Sequence, residues 1–274
     1  MTDLTTLPTD AATDPAGGTT EDDRRRAQRD RDLATPHGWL TLVGYHWLPS
    51  TPGALADAPG RWWSDGVAAH HEPADGGPTT SFEVAEAGSL VVGTYLPPGR
   101  REARADQETT EVALELVRRT GRYAIRRRDP LAPTRATFTG VRTYDHDPAW
   151  VQDVAPRWYD APRTVVVGAA RAGLRHEVTT LGEVDLDVAG RRTTLVLTGH
   201  PGGGATLLFS DEADDVAPWR VLTLDAAPGD ATVRLDLNRA VNLPFAFTEH
   251  GTCPAPVPGN HVPAPVHAGE RRPS

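Results

Sequence analysis

From Trp39 to Leu237 the chain carries short apolar runs of period two, the signature of strands with one face turned inward. Trp39–Leu48 is aromatic-rich and kinked at Gly44. Arg61–His70 carries Asp65-Gly66 at its centre, a strong hairpin signal. Ser89–Leu96 reads as a strand. Glu111–Val117 alternates cleanly, turns at Thr120-Gly121 and resumes in Tyr123–Arg127. Thr164–Val167, Leu174–Thr180, Glu183–Val188 and Arg191–Thr198 follow, with turns placed at Leu181-Gly182 and Ala189-Gly190. Thr206–Phe209, Arg220–Leu224 and Thr232–Leu237 complete the series. These are about a dozen strands at spacings of roughly 8–12 residues. No helical crossover pattern separates them, so a parallel sheet is excluded and the strands pair antiparallel.

Only one segment reads as a helix. Glu21–Leu33 is charged, free of Pro and Gly, and acidic in its first turn, where the macrodipole favours it. Residues 1–20, rich in Thr, Asp, Ala, Pro and Gly, read as a disordered tail. Residues 130–162 read as a Pro-rich connection held by Phe138, Tyr144, Trp150 and Trp158. The expected architecture is mainly β: residues 21–274 as one antiparallel domain, a barrel or strongly coiled sandwich, with an irregular C-terminal arm over 238–274. The alternation implies one packed face and one wet face.

Composition narrows the chemistry. The net charge is −9, and every one of the 28 basic residues is Arg. Without Lys there is no Schiff base for pyridoxal-phosphate chemistry and no P-loop lysine. An acidic chain without a basic face is a poor partner for nucleic acid. Arg24–Arg26 and Arg126–Arg128 read as solvated charge. Cys253 is the sole cysteine, so no intrachain disulfide forms; it reads as a small buried residue. No apolar run reaches the about 18 residues that span a bilayer, and the first twenty residues lack a leader pattern. The expectation is a cytoplasmic protein that binds neither membrane nor nucleic acid.

Several motifs read as structure. Gly199-His-Pro-Gly-Gly-Gly204 lies between two strands and reads as a hairpin loop, not a phosphate cradle. The histidines, densest in Asp145-His-Asp147 and His250-x-x-Cys253, show no zinc spacing. No metal and no cofactor is expected.

The C-terminal run Leu235–Asn260, closed by Ala268-Gly-Glu270, is dense in Asn, Pro and hydrogen-bonding side chains. It resembles domain-of-unknown-function family 1684. The matching positions are Asp236, Asn238, Arg239, Ala240, Asn242, Pro244, Ala246, Phe247, Thr252, Cys253, Pro254, Pro256, Asn260, Ala268, Gly269 and Glu270. Gly38–Gly44, Trp47-Leu48, Arg126–Pro130 with Phe138 and Gly140, and Phe209-Ser-Asp211 with Arg220 are also similar. Phe245 stands where the family carries a cysteine, so a dithiol or two-cysteine metal site is not expected. The loop after Asp211 lacks the family's Thr, Gly and Tyr. The resemblance implies no reaction.

The leading expectation is a small-molecule-binding β scaffold whose ligand, a small anionic metabolite, bears a carboxylate or phosphate. Arg127 and Arg220 would anchor it, because a guanidinium pairs with such groups bidentately. Asn238 and Asn242 would orient it, and Asp211, Asp236 and Glu270 would position the arginines. In a second reading the chain is a metal-independent hydrolase or isomerase, with catalytic candidates Asp211, Asp236 and Glu270 and Asp211 or Asp236 as general base. In a third the same network only holds the arm in place, in a structural or partner-binding module.

Overall fold

The computed structural model describes residues 20–199 and 203–273. The expected tail, except Thr20, and His200 in the glycine-rich loop lie outside the described residues. Helix α1, Glu21–Leu33, starts at a capping box in which the Thr20 hydroxyl accepts from the Asp23 amide and the Asp23 carboxylate accepts from the Thr20 amide. A second helix, α2, is the single turn Pro133–Ala136.

The strands in the first half of the chain are β1 Leu42–Trp47, β2 Gly53–Leu55, β3 Ala58–Ser64, β4 Ala69–Glu72, β5 Thr80–Phe82, β6 Ser89–Tyr95, β7 Val112–Arg119 and β8 Arg122–Arg128. Those in the second half are β9 Val151–Val154, β10 Arg157–Gly168, β11 Arg175–Val188, β12 Arg191–Gly199, β13 Ala205–Phe209, β14 Arg220–Leu224, β15 Val233–Asp236 and β16 Val241–Asn242. All their pairings are antiparallel. They form four sheets ordered β1-β8-β7-β6, β2-β3-β4-β5, β10-β11-β12-β13-β14-β16 and β15-β9.

The expected closed barrel is not found among the described residues. The six-stranded sheet ends at β10 on one side and β16 on the other, and these edges do not pair. Its longest strand carries a bulge. The two strands expected on either side of a turn at Leu181-Gly182 are one continuous strand, β11, whose register slips at Thr180/Gly182 and, against β10, between Trp158 and Arg163. Gly182 serves close approach: a Cβ there would stand 2.7 Å from the Arg157 carbonyl oxygen and 2.9 Å from the Trp158 Cα.

Period two explains the layers. On β7 and β8, Leu114, Leu116, Tyr123 and Ile125 pack with Trp62 and Ala69 of the small β2-β3-β4-β5 sheet. The opposite face presents Glu115, Val117 and Arg119 from β7 and Ala124, Arg126 and Arg128 from β8. The expected wet face is therefore absent here: Glu115, Arg119, Arg126 and Arg128 are all buried, which corrects the reading of Arg126–Arg128 as solvated charge. In the six-stranded sheet, Leu195, Leu197, Leu207, Phe209 and Leu222 join Leu235 and Val266 in the main core. The intervening Thr198, Thr206, Leu208 and Val221 face the other way.

The C-terminal arm is built into the second sheet. β12 and β13 pair only at Thr198/Thr206 and Gly199/Ala205, and then diverge. Asn260, 2% exposed, fills the fork. Its side-chain nitrogen donates to the Val196 and Leu208 carbonyls at 2.9 Å each, and its side-chain oxygen accepts from the Val196 amide at 2.8 Å. The amide thus supplies the bonds that a strand neighbour would make. Beyond it, Val262, Ala264, Val266 and Ala268 enter the core.

Candidate functional site

The first half of the chain and the six-stranded sheet frame an open-sided cavity of about 710 Å³. One wall is Trp39, Ala87, Arg119 and Arg126; the other includes Thr198, Thr206, Leu208 and Val221. Arm residues Leu243, Pro244, Thr252–Ala255 and Val257 close one side, and His176–Thr179, at the start of β11, form the rim.

The Thr120-Gly121 turn builds the charged wall. Both residues have positive φ, +54° and +74°, as a two-residue turn of type I′ requires. That turn sets Arg119 opposite Arg122 and, four residues inward, Glu115 opposite Arg126. Tyr45 on β1 completes a row across three strands.

Arg126 is 3% exposed. It donates to the Thr252 hydroxyl at 2.7 Å and stands 3.5 Å from Glu115. Its Nε is buried without a partner among the described residues, as is the Tyr45 hydroxyl. Glu115 is shared with Arg128, at 2.8 Å, and the Trp39 ring lies 4.6 Å from the Arg128 guanidinium carbon and 5.5 Å from that of Arg126. Arg119 uses one terminal nitrogen on the Gly88 and Arg118 carbonyls, both at 2.7 Å. Burial pushes the pKa of both arginines down and that of Tyr45 up, the direction expected when charge leaves water.

His176 Nε2 lies 2.6 Å from the Thr252 carbonyl. A carbonyl only accepts, so Nε2 carries the hydrogen. Burial holds this imidazole below its ordinary pKa, which favours the neutral ring. Burial pushes the Cys253 thiol up, away from the thiolate that nucleophilic chemistry needs.

The residues named from sequence lie elsewhere. Arg127 donates to the Tyr95 hydroxyl and the Asp129 carboxylate, each at 3.1 Å, and Arg100 grips the same Asp129 with two bonds of 2.8 and 3.0 Å. Arg220 has no exposed surface. It donates to the Asp211 carboxylate at 2.8 Å, to the Val266 carbonyl at 3.0 Å, and to the Ala268 and Glu270 carbonyls. These two arginines share no partner.

Asp236 accepts from the backbone amide and the side chain of Asn238, whose side chain also pairs with the Asp147 backbone. Glu270 accepts from the Asn242 amide at 2.6 Å and from Arg29 at 3.0 Å. The structure thus brings together Arg220, Asp211, Asn242 and Glu270, and separately Asp236 with Asn238. None of them, nor Arg127, lines the large cavity. Asn238 and Glu270 flank a second cavity of about 50 Å³ beside α1, room for little more than ordered water.

Among the described residues, no group of three or more His, Cys, Asp and Glu side chains is placed to hold a metal ion. No helix there is long and apolar enough to cross a membrane.

Residues 136–271 match the model of a family described as Protein of unknown function (DUF1684). An uncharacterised protein of Haloarcula marismortui, solved by NMR, is similar over 50% of this chain and 78% of its own, at 21% identity and a TM-score of 0.41. No curated protein matches the chain.

Proposed function

We propose that this chain, which belongs to the DUF1684 family through residues 136–271, binds a small organic anion in the cavity between its two β layers. Arg126 and Arg119 anchor the anion, and the apolar part of the ligand lies on Leu208, Val221, Leu243 and Pro244. The observation that carries this reading is the pairing of Arg126, 3% exposed, with Arg119, 8% exposed, on one cavity wall. Two buried guanidinium groups side by side are stabilised by a negative charge, which an anion in the cavity supplies. The volume suits a ligand of metabolite size, since such sites run from about 300 to 1,000 Å³.

The anchors differ from those expected from sequence, while the ligand chemistry is the same. The Arg220–Asp211–Glu270 network supports a structural role for those residues: the terminal nitrogens of Arg220 face the Asp211 carboxylate and backbone carbonyls of the arm.

Calorimetric titration with a panel of small carboxylates and phosphate monoesters tests the reading. At least one should bind, with affinity reduced tenfold or more in Arg126→Gln and unchanged in Arg127→Gln. If no member of the panel binds, or the hits are indifferent to Arg126→Gln, the cavity is not an anion site.

A further inference from the structure

Resting on that reading, we infer that the ligand is a monocarboxylate with an extended apolar body, and that the cavity discriminates against phosphate monoesters. Charge is the first argument. The wall carries Arg119 and Arg126, and Arg126 shares Glu115 with Arg128. Glu177 stands at the exposed rim. Glu86 also faces Arg119, so three carboxylates already stand against these three guanidinium groups. A monocarboxylate adds one negative charge to this balanced set, whereas a phosphate monoester, a dianion near neutral pH, adds two, and each further uncompensated charge beside buried groups is costly.

Donor geometry is the second argument. Tight phosphate sites gather several convergent backbone N–H groups, typically at a helix N-terminus. Neither α1 nor α2 contributes a residue to this cavity. Its charged donors are the side chains of Arg119 and Arg126, and Arg119 keeps nitrogens not bonded to Gly88 or Arg118. Two guanidinium forks suffice for the two oxygens of a carboxylate, while the third oxygen of a phosphate meets no backbone N–H from a helix end there.

The far wall is the third argument. Across from the arginines the lining includes Leu208, Val221, Leu243, Pro244, Pro254 and Val257. The Thr198 and Thr206 hydroxyls, 2.8 Å apart, bond to each other, so this end offers a ligand carbon surface. An alkyl chain gains about 0.8 kcal/mol per buried methylene there.

The test is titration calorimetry of the full chain at pH 7.5 with octanoate, octyl phosphate, octan-1-ol and acetate, each with wild type, Arg126→Gln, Arg119→Gln and Val221→Phe. Octanoate should bind at least tenfold more tightly than octyl phosphate, octan-1-ol or acetate. Arg126→Gln and Arg119→Gln should each weaken octanoate tenfold or more. Val221→Phe, which narrows the apolar end, should weaken octanoate and leave acetate unchanged. Octyl phosphate binding as tightly as octanoate, with both arginines required, would overturn the carboxylate inference and leave the anion cavity standing. No binding by octanoate or octyl phosphate, or binding indifferent to both arginine variants, would overturn both. Should Arg126→Gln fail to fold, Arg119→Gln and Val221→Phe decide the matter by the same thresholds.

Discussion

Arg220 donates to the Val266, Ala268 and Glu270 carbonyls and to the Asp211 carboxylate, and none of its surface reaches water. In such a place removal of one partner exposes the cost of the others. Arg220→Met conserves much of the volume but strands Asp211 as a buried charge and leaves three carbonyls unanswered. The expected loss is about 3–5 kcal/mol in urea-denaturation experiments, and a loss below about 1 kcal/mol would refute the staple assigned to this side chain. His46, His71 and His176 form a second residue-level prediction. Burial lowers all three pKa values from 6.5. The unfolded chain therefore binds more protons than the folded chain once pH falls below about 6.5, so stability is full above that pH and declines as acid is added. His176 sits among Arg119, Arg126, Glu86 and the Thr252 carbonyl, two cations against one anion, which sharpens its resistance to protonation. The melting temperature of His176→Gln should fall less between pH 7 and pH 5 than that of the wild type; equal slopes would remove His176 from the explanation.

At the scale of elements, β11 shows how one glycine converts two expected strands into one bent strand. Gly182 abuts Arg157 and Trp158 with no room for a methyl group, and overpacking of this kind costs about 1–3 kcal/mol. Gly182→Ala should lower stability by that amount in chemical denaturation, whereas Gly190→Ala, where an added Cβ meets nothing within 4 Å but φ is +72°, tests backbone strain alone. A turn and a bulge share the same Gly signature, which is why the sequence pattern placed a reversal at Leu181-Gly182. α1 and the β3–β4 and β7–β8 hairpins fall where the charged, acid-led pattern, Asp65-Gly66 and Thr120-Gly121 put them, whereas the expected connection over 130–162 holds α2, β9 and the first half of β10. The site was legible by strand and not by face. Arg127 and Arg220 were chosen on β8 and β14; the cavity is lined by their neighbours Arg126 and Val221, and with a side-chain period of two a single step reverses the face. The Thr120-Gly121 turn already fixed Glu115 opposite Arg126, so the buried charge row was present in the register. Alternation alone could not reveal it, because an apolar stripe of Leu114, Leu116, Tyr123 and Ile125 makes the other face read as solvent-exposed. Asn260 left no such signal, since its partners Val196 and Leu208 lie 64 and 52 residues away.

At the scale of the molecule, the two β layers meet around a cavity, and part of what joins them is the arm. The Thr248 hydroxyl donates to the Leu42 carbonyl on β1, while Thr252 accepts from Arg126 on β8 and, through its carbonyl, from His176 on β11. Opening the cleft must break these bonds together, so the amides on its two walls should share an opening reaction. A ligand that spans the cavity binds the closed form and suppresses that opening by mass action, by about 2.7 kcal/mol at a hundred times its dissociation constant. That corresponds to exchange roughly a hundredfold slower for amides released by opening of the cleft. Hydrogen exchange followed by mass spectrometry, with and without saturating octanoate, should show protection in peptides covering Arg122–Arg128 and in peptides covering Ala205–Phe209, while the β2–β5 sheet, remote from the cavity, exchanges as before. Protection of one wall alone would mean that the ligand adheres to a surface and does not bridge the layers. Uniform protection of every peptide would mean that these amides exchange only through global unfolding, and the arm would then be part of one cooperative unit with both sheets rather than a clasp between them.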